Sequence, residues 1–336
     1  MQAESFIDFL NTYGEHHALS MVYREGEDFA DWQGRFRERV TSLRGPVPDR
    51  IAPEMEVVES VEKDDHTRYL VRIPVSDFST LVAYLLVPKG IGEGEKCPGL
   101  IVSHGHLTFG METMCGVWEN PDPLDEKRAY GLFAVREGYV VLAPAWWGWP
   151  GRDGHVGQVR GSRDKCNVIQ MAASMYGMNV TDLHIQDGQA AVDVLAGRAD
   201  VDANRIGCIG NSYGGRTTMW LTIFEDRIKA CVPTGAMNTF RERSLKLSSC
   251  GLQYLPGILQ YGDVPELYSL IAPRAMQLQA GEGDGLITPE DRDGMLETVR
   301  NAYRSLGAED RLDYVLHPDG HLLRWDLASL FLSRLL

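Results

Sequence analysis

The segment Arg205–Gly215 reads RIGCIGNSYGG and decides the fold. Its first part, Ile206–Ile209, is short and largely apolar, which is typical of a strand buried on both faces of a parallel sheet. Gly210–Gly214 then matches G-x-S-x-G, a sharp turn that carries a serine from a strand into a helix. So tight a turn leaves no room for a Cβ at the glycines. The pattern predicts an exposed Ser212 hydroxyl placed as a nucleophile, although a glycine-rich turn whose serine only caps the helix has the same letters.

Two apolar patterns predict the other strands of the sheet. Residues 69–75 and 81–87 alternate apolar with polar or smaller side chains, a period of two that is typical of antiparallel strands at a sheet edge. Near-continuous apolar runs, typical of buried parallel strands, follow at Pro98–Ser103 and Tyr139–Pro144. Two further strands are predicted, at Ile228–Val232 and Ala275–Gln279.

Several segments between and after these strands have apolar residues at helical spacing. Crossover helices are expected around Glu126–Arg136 and at Thr181–Leu195. A closing amphipathic helix is predicted by four apolar residues, Leu323, Leu327, Leu330 and Phe331. The sequence therefore predicts an α/β fold with a mostly parallel central sheet, antiparallel N-terminal strands and helices on both faces.

Residues 1–50 are predicted to form a helical extension, and residues 51–336 the main domain. Two apolar faces repeat at helical spacing, one on Phe6, Phe9, Leu10 and Tyr13, the other on Phe29, Trp32, Phe36, Val40 and Leu43. Gly45, Pro46 and Pro48 then break the pattern. Aromatic stripes of this kind are expected to pack in the core.

The composition limits the classes of binding partner that we expect. The 336 residues carry a formal net charge of −14, which argues against nucleic acid and anionic membranes, since both attract basic surfaces. Neither a signal peptide nor a membrane-spanning run is recognisable, so a soluble protein is expected. The six cysteines are scattered without a C-x-x-C pair and are expected to be reduced and mostly buried, which favours a cytoplasmic location. The oligomeric state stays open, with a homodimer as one arrangement.

A serine nucleophile needs a base and a third group that orients the base. On chains with this turn the order is serine, acid, histidine, and only His317 and His321 follow Ser212. His321 is preferred because it lies in a glycine-containing loop, PDGH. Asp284 is the expected acid, since it follows a predicted parallel strand, and Glu282 is its nearest rival.

Acyl transfer also needs donors for the developing oxyanion. The backbone N–H of Tyr213, next to the serine, is one expected donor, and that of His106, in the loop after the Pro98–Ser103 strand, is the other. His104 and His106 form an H-x-H pair that raises zinc as an alternative. No accompanying carboxylate or cysteine ligands are recognisable, and catalytic zinc takes three protein ligands, so neither a metal nor another cofactor is expected.

Taken together, four motifs in this order resemble the α/β-hydrolase superfamily over about Pro53–Leu336: G-N-S-Y-G-G, H-G-H, G-E-G-D and D-G-H. The chain is most similar to the dienelactone hydrolase and acetyl xylan esterase-like branch, some of whose members carry a helical N-terminal extension. The segment Leu267–Arg274 supports that branch. The resemblance implies a triad of Ser212, Asp284 and His321. Dienelactone hydrolases use cysteine at the serine position, so the resemblance does not imply lactone specificity.

A tryptophan-rich loop follows the Tyr139–Pro144 strand and includes Trp146, Trp147 and Trp149. In this architecture such a loop lies beside the nucleophile, at the carboxyl end of the sheet. These rings and Trp118 are candidates for substrate binding, and packing between loop and core is an equal alternative. Arg241, Arg243 and Lys246 are basic groups available to an anionic substrate, with solvated surface charge as the simpler interpretation.

The leading functional hypothesis is a serine carboxylic-ester hydrolase that forms an acyl-enzyme with a small or carbohydrate-linked ester. A peptidase or amidase of the prolyl-oligopeptidase type shares this machinery and is the first alternative. A non-catalytic binding protein on the same fold is the second, because fold alone does not fix function.

Overall fold

The computed structural model describes residues 5–24, 26–154, 164–245 and 249–336. Nine strands in these residues form one sheet: β1 (Glu56–Glu62), β2 (His66–Ser76), β3 (Ser79–Pro88), β4 (Cys97–Ser103), β5 (Val140–Pro144), β6 (Val201–Asn211), β7 (Ile228–Thr234), β8 (Ala275–Gly281) and β9 (Leu312–His317). Their order across the sheet is β1-β2-β3-β5-β4-β6-β7-β8-β9. The β1–β2, β2–β3 and β3–β5 pairs are antiparallel, and every later pair is parallel. The predicted fold class is confirmed.

Twelve α-helices occur in the same part of the chain: α1 (Phe6–His16), α2 (Phe29–Ser42), α3 (Met111–Met114), α4 (Pro123–Lys127), α5 (Tyr130–Arg136), α6 (Asp164–Ser174), α7 (Val180–Gly197), α8 (Tyr213–Phe224), α9 (Phe240–Leu245), α10 (Val264–Ser269), α11 (Pro289–Ser305) and α12 (Trp325–Leu332). The helical stretch expected around Glu126–Arg136 consists of two helices, because α4 ends at Lys127 and α5 begins at Tyr130. Asp122 caps α4 by accepting hydrogen bonds from the amides of Leu124 and Asp125.

The two faces of the sheet are covered by separate apolar clusters, as strands buried on both sides require. Along β6, Ile206 and Cys208 belong to the larger cluster, whereas Ile209 belongs to the smaller one. In β4, Ile101 likewise lies on the larger side and Val102 on the smaller side. This double burial holds the carboxyl ends of β4 and β6 in fixed register, Ser103 beside Gly210.

The two N-terminal helices differ in how they pack. Phe29, Trp32 and Phe36 of α2 are buried in the larger cluster, as predicted. In α1 no residue is buried, and Phe6 is 72% exposed. The expectation that its aromatic stripe packs in the core is therefore wrong. Near its C-terminal end, α1 approaches the Arg241 side chain of α9 at Gly14. The division between 1–50 and 51–336 stays a prediction.

The closing helix begins later than the apolar pattern indicates. α12 starts at Trp325, so Leu323 precedes it, and Leu330 is 67% exposed. The buried residues of α12 are the predicted Phe331 together with Ala328 and Leu332. Among the helices of the described ranges, none has the length and apolar character needed to cross a bilayer.

Candidate active site

Ser212 lies on the sharp turn between β6 and α8. Its φ of 63° and ψ of −120° make it the one positive-φ residue other than glycine in the described ranges. Such a conformation costs about 1–3 kcal/mol and is kept where the surroundings enforce it. A Cβ on Gly210 would lie 2.5 Å from the carbonyl carbon of Gly214, and one on Gly214 would lie 2.2 Å from the oxygen of Ser103. The two glycines therefore have the steric role that the sequence predicts.

His321 and Asp284 meet at the end of the sheet, on the loops that follow β9 and β8. The Nδ1 of His321 lies 2.7 Å from Oδ2 of Asp284, whose side chain is 1% exposed. The loops touch because Gly281 has no side chain: a Cβ there would lie 2.1 Å from the oxygen of Gly320. The Asp284 carboxylate also accepts from the amide of Leu286 at 2.9 Å. A carboxylate fixed in this way holds the imidazole in the tautomer with its proton on Nδ1.

The other ring nitrogen of His321, Nε2, is buried and has no hydrogen-bond partner in the described part of the chain. His321 and Ser212 line the same cavity, of about 710 Å³. Gly235 lets the His321 ring approach β7, since a Cβ at that glycine would lie 2.8 Å from Cε1 of the ring. The ring therefore presents an unused acceptor beside the serine cavity.

The two rival residues lie elsewhere. The His317 side chain is 2% exposed and does not line the cavity, and burial lowers its pKa. Glu282 is exposed, and its backbone amide donates to the oxygen of His317 at 2.8 Å. His321 thus lines the cavity with Ser212 and pairs with Asp284, whereas neither His317 nor Glu282 lines that cavity in the described residues.

The loop after β4 lies directly against the serine. A Cβ on Gly105 would lie 2.9 Å from the oxygen of Asn211 and 3.4 Å from Cβ of Ser212. His106 and Tyr213 both line the cavity. Their backbone N–H groups donate to no other group in the described ranges, and that of Tyr213 is the first amide of α8, which has no partner within the helix. Two free amides therefore flank Ser212.

The ring of buried His104 holds this loop through contacts of both its nitrogens. Its Nε2 accepts from the amide of Trp146 at 3.2 Å, and its Nδ1 lies 2.9 Å from the oxygen of Gly105. Burial lowers its pKa to about 3, so the ring is neutral. With both nitrogens engaged, His104 does not form the H-x-H metal site considered from the sequence.

Two cysteines do accompany His106, contrary to expectation. The sulfurs of Cys166 and Cys250 and a ring nitrogen of His106 all lie within 4.8 Å of one another. The contact between Cys250 and Cys166, reinforced by His106, lowers the pKa of Cys166 to about 5, whereas burial raises the pKa of Cys250. Two sulfurs and one imidazole form a set of donors that suits zinc with one open position. The sequence does not reveal this cluster because only tertiary packing joins the three residues.

Of the four candidate tryptophans, one lines the cavity in the described residues and three do not. Trp149 lines the cavity and stacks on Tyr213 with ring centroids 5.0 Å apart. Trp146 is fully buried, Trp147 lies against Arg152, and Trp118 is half-buried. None of these three lines the cavity as far as the described residues define it. Packing therefore accounts for Trp146, and substrate binding by Trp118 and Trp147 stays a prediction.

Comparisons with known proteins give the family context. Residues 175–242, which include Ser212, match the prolyl oligopeptidase family. YtaP of Bacillus subtilis (strain 168), a candidate hydrolase, is 27% identical over 288 residues, which are 85% of this chain and 92% of YtaP.

Solved structures give the same architecture. A candidate acetyl xylan esterase from Bacteroides fragilis superposes with a TM-score of 0.78 at 17% identity, covering 94% of this chain and 83% of that one. A glucuronoyl esterase from Solibacter usitatus superposes with a TM-score of 0.65 at 15% identity, covering 94% and 97%. The chain therefore has the α/β-hydrolase fold, and the family match and the hydrolase relative indicate a serine hydrolase.

Proposed function

We propose that this serine hydrolase is a carboxylic-ester hydrolase that works through an acyl-enzyme on a small or carbohydrate-linked ester. The observation that carries the proposal is the meeting of Ser212 with the His321–Asp284 pair at one cavity, flanked by two free amides. Two similar structures bear the names of carbohydrate esterases, which supports an ester as the substrate.

In the first half of the reaction, the Oγ of Ser212 attacks the ester carbonyl while the Nε2 of His321 takes the hydroxyl proton. The Asp284 carboxylate stabilises the imidazolium that forms. The amides of His106 and Tyr213 hold the negative oxygen of the tetrahedral intermediate. When this intermediate collapses, the bond to the alcohol oxygen breaks, and the alcohol leaves with the proton from His321.

In the second half, a water molecule attacks the acyl-enzyme and gives its proton to His321. The bond between Ser212 Oγ and the acyl carbon then breaks, the proton returns to Ser212, and the acid leaves. Every proton transfer and every developing charge in these reaction steps is handled by Ser212, His321, Asp284 and the two backbone amides. We therefore propose that no cofactor takes part.

Replacing Ser212 with alanine tests the proposal. With p-nitrophenyl acetate, kcat should fall by about four to six orders of magnitude, as in other triads that lose the nucleophile. Ser249→Ala is the matched control, because Ser249 is another serine that lines the cavity, and its kcat should stay near the wild-type value. Wild-type turnover by the Ser212→Ala protein would refute the proposal.

A second candidate function is a peptidase of the prolyl-oligopeptidase type, which the match of residues 175–242 favours. The same serine, histidine and amides would then act on a peptide bond. Comparison of dipeptidyl p-nitroanilides with p-nitrophenyl esters separates the two. A kcat/KM for the anilides equal to or above that for the esters would favour the peptidase.

A further inference from the structure

We infer that the cavity takes an ester that carries a free anionic group, with a carboxylate as the best fit. This inference rests on the proposed ester hydrolysis and names the substrate class. Four basic side chains line the cavity: Arg128, Lys165, Arg216 and Arg243. No Asp or Glu lines it within the described residues. The whole chain has 47 acidic and 33 basic residues, so a purely basic lining is opposite in sign to the rest of the molecule.

Arg216 is the central member of this set. It lies one helical turn after Ser212 on α8, and its amide donates to the Ser212 oxygen at 3.0 Å. Ser212 itself precedes α8 in a non-helical conformation, and Arg216 lies in the first turn of that helix. The cavity lining includes both residues. An anion held by Arg216 would therefore share the cavity with the reacting carbonyl.

The guanidinium of Arg216 is only partly satisfied. The residue is 2% exposed, and its Nη2 donates to the backbone and side-chain oxygens of Asn238. Its Nη1 is buried and has no hydrogen-bond partner in the described ranges. An unpaired buried donor on a charged group is costly, and a carboxylate oxygen would satisfy it.

Two acids that interact electrostatically with Arg216, Asp263 and Asp291, also accept hydrogen bonds from other groups. Asp263 accepts from the amides of Phe240 and Arg241, at 2.7 and 3.1 Å. Asp291 accepts from the amide and hydroxyl of Thr239. Neither carboxylate lines the cavity. Within the described residues, a substrate anion therefore meets basic side chains and no carboxylate at the cavity surface.

Lys165 and Arg128 extend the positive field around the opening. Lys165 lies over the ring of Trp149, with Nζ 4.8 Å from the centroid. Neither basic side chain forms an ion pair with a carboxylate in the described part of the chain. Basic walls on a low-dielectric cleft concentrate anionic ligands and speed their arrival. The solvated-charge interpretation of Arg243 is thus replaced by a place in the cavity, while Arg241 is exposed and Lys246 lies outside the described residues.

A matched pair of esters tests the inference. p-Nitrophenyl hemisuccinate differs from p-nitrophenyl butyrate in having a carboxylate where butyrate has a methyl group. For the wild type, kcat/KM should be at least tenfold higher for the hemisuccinate at low ionic strength, and the ratio should shrink in 0.5 M NaCl. In Arg216→Gln and in Lys165→Gln the ratio should fall at least fivefold. Arg241→Gln is the matched control, because this exposed arginine does not line the cavity, and it should keep the wild-type ratio.

A binding measurement separates this inference from the proposed reaction. Succinamate and butyramide are stable amides that differ in the same carboxylate, and calorimetry on the Ser212→Ala protein needs no turnover. Succinamate should bind at least tenfold more tightly. Equal binding of the two amides, or equal kcat/KM of the two esters, would overturn the inference and leave ester hydrolysis standing. Tight succinamate binding without turnover of either ester would support the anion site and count against the esterase.

Discussion

Replacing Gly105 with alanine should slow catalysis while leaving the protein folded. The new Cβ would lie 2.9 Å from the oxygen of Asn211 and 3.4 Å from Cβ of Ser212. Real Cβ atoms essentially never approach an oxygen that closely, so the loop has to move away from the serine by roughly half an ångström to regain van der Waals distance. The backbone of Gly105 is outside the positive-φ region, so the change introduces contact and no dihedral strain.

The movement should weaken one of the two proposed oxyanion contacts. A donor of this kind contributes about 2.7–4 kcal/mol to catalysis when it is removed completely. Lengthening the contact from about 2.9 to 3.4 Å keeps part of this stabilisation. Losing about half of it raises the barrier by roughly 1.4–2 kcal/mol. Since about 1.4 kcal/mol is tenfold in rate, kcat should fall about 10- to 30-fold. KM should change little, because the contact strengthens only as the oxyanion forms.

The assay is steady-state hydrolysis of p-nitrophenyl acetate with urea unfolding measured in parallel. Gly34→Ala in α2 is the matched control, since a Cβ at Gly34 meets nothing within 4 Å. That variant should keep the wild-type kcat. A folded Gly105→Ala protein with kcat within twofold of the wild type would show that the amide of His106 does not hold the oxyanion.

Further predictions concern the acid, the buried histidine and the cysteine cluster. Asp284→Asn should lower kcat about 10⁴-fold through the wrong imidazole tautomer, whereas Glu282→Gln should stay within threefold in the same ester assay. His104 is neutral in the folded protein, with a pKa of about 3, but is protonated below about pH 6.5 in the unfolded chain, so its contribution to stability is complete above pH 6.5 and is lost as the pH falls. Lowering the pH from 7 to 5 should reduce the free energy of unfolding, measured with urea, by about 2 kcal/mol. The His104→Gln protein should lack this part of the pH dependence. Micromolar Zn²⁺ should inhibit the wild type reversibly through the His106 cluster, and Cys250→Ser should be much less sensitive.

The sequence predicts those parts of the fold that local pattern dictates. The period of two at residues 69–75 and 81–87 is enough to predict β2 and β3, because alternate residues of each strand, from Val71 and from Leu81 onward, lie in the larger apolar cluster. The pattern does not show that β3 is buried on its other face as well. The glycines around Ser212 predict the turn for a steric reason that the structure reproduces at Gly210 and Gly214. The meeting of Asp284 with His321 follows from chain order, since both loops leave the same edge of a parallel sheet.

Features that depend on tertiary packing escape the sequence. An aromatic stripe predicts burial, but nothing in it shows that α2 already covers the core and leaves Phe6 exposed. The 83 residues between Cys166, in α6, and Cys250 hide a contact that only the tertiary fold makes beside His106. Arg216 carries no local signal either: its place beside the serine appears only once α8 is fixed on the sheet and Nη1 is seen without a partner.

The central claim is that Ser212 carries the acyl group, and mass spectrometry of the intact protein tests it most directly. Wild-type protein mixed with excess p-nitrophenyl butyrate and quenched in acid within milliseconds should gain the mass of one butyryl group. Peptide mapping should place that group on Ser212, and the Ser212→Ala protein should gain nothing. A butyryl group on another residue, such as Cys250, or hydrolysis with no adduct at any quench time, would contradict the account.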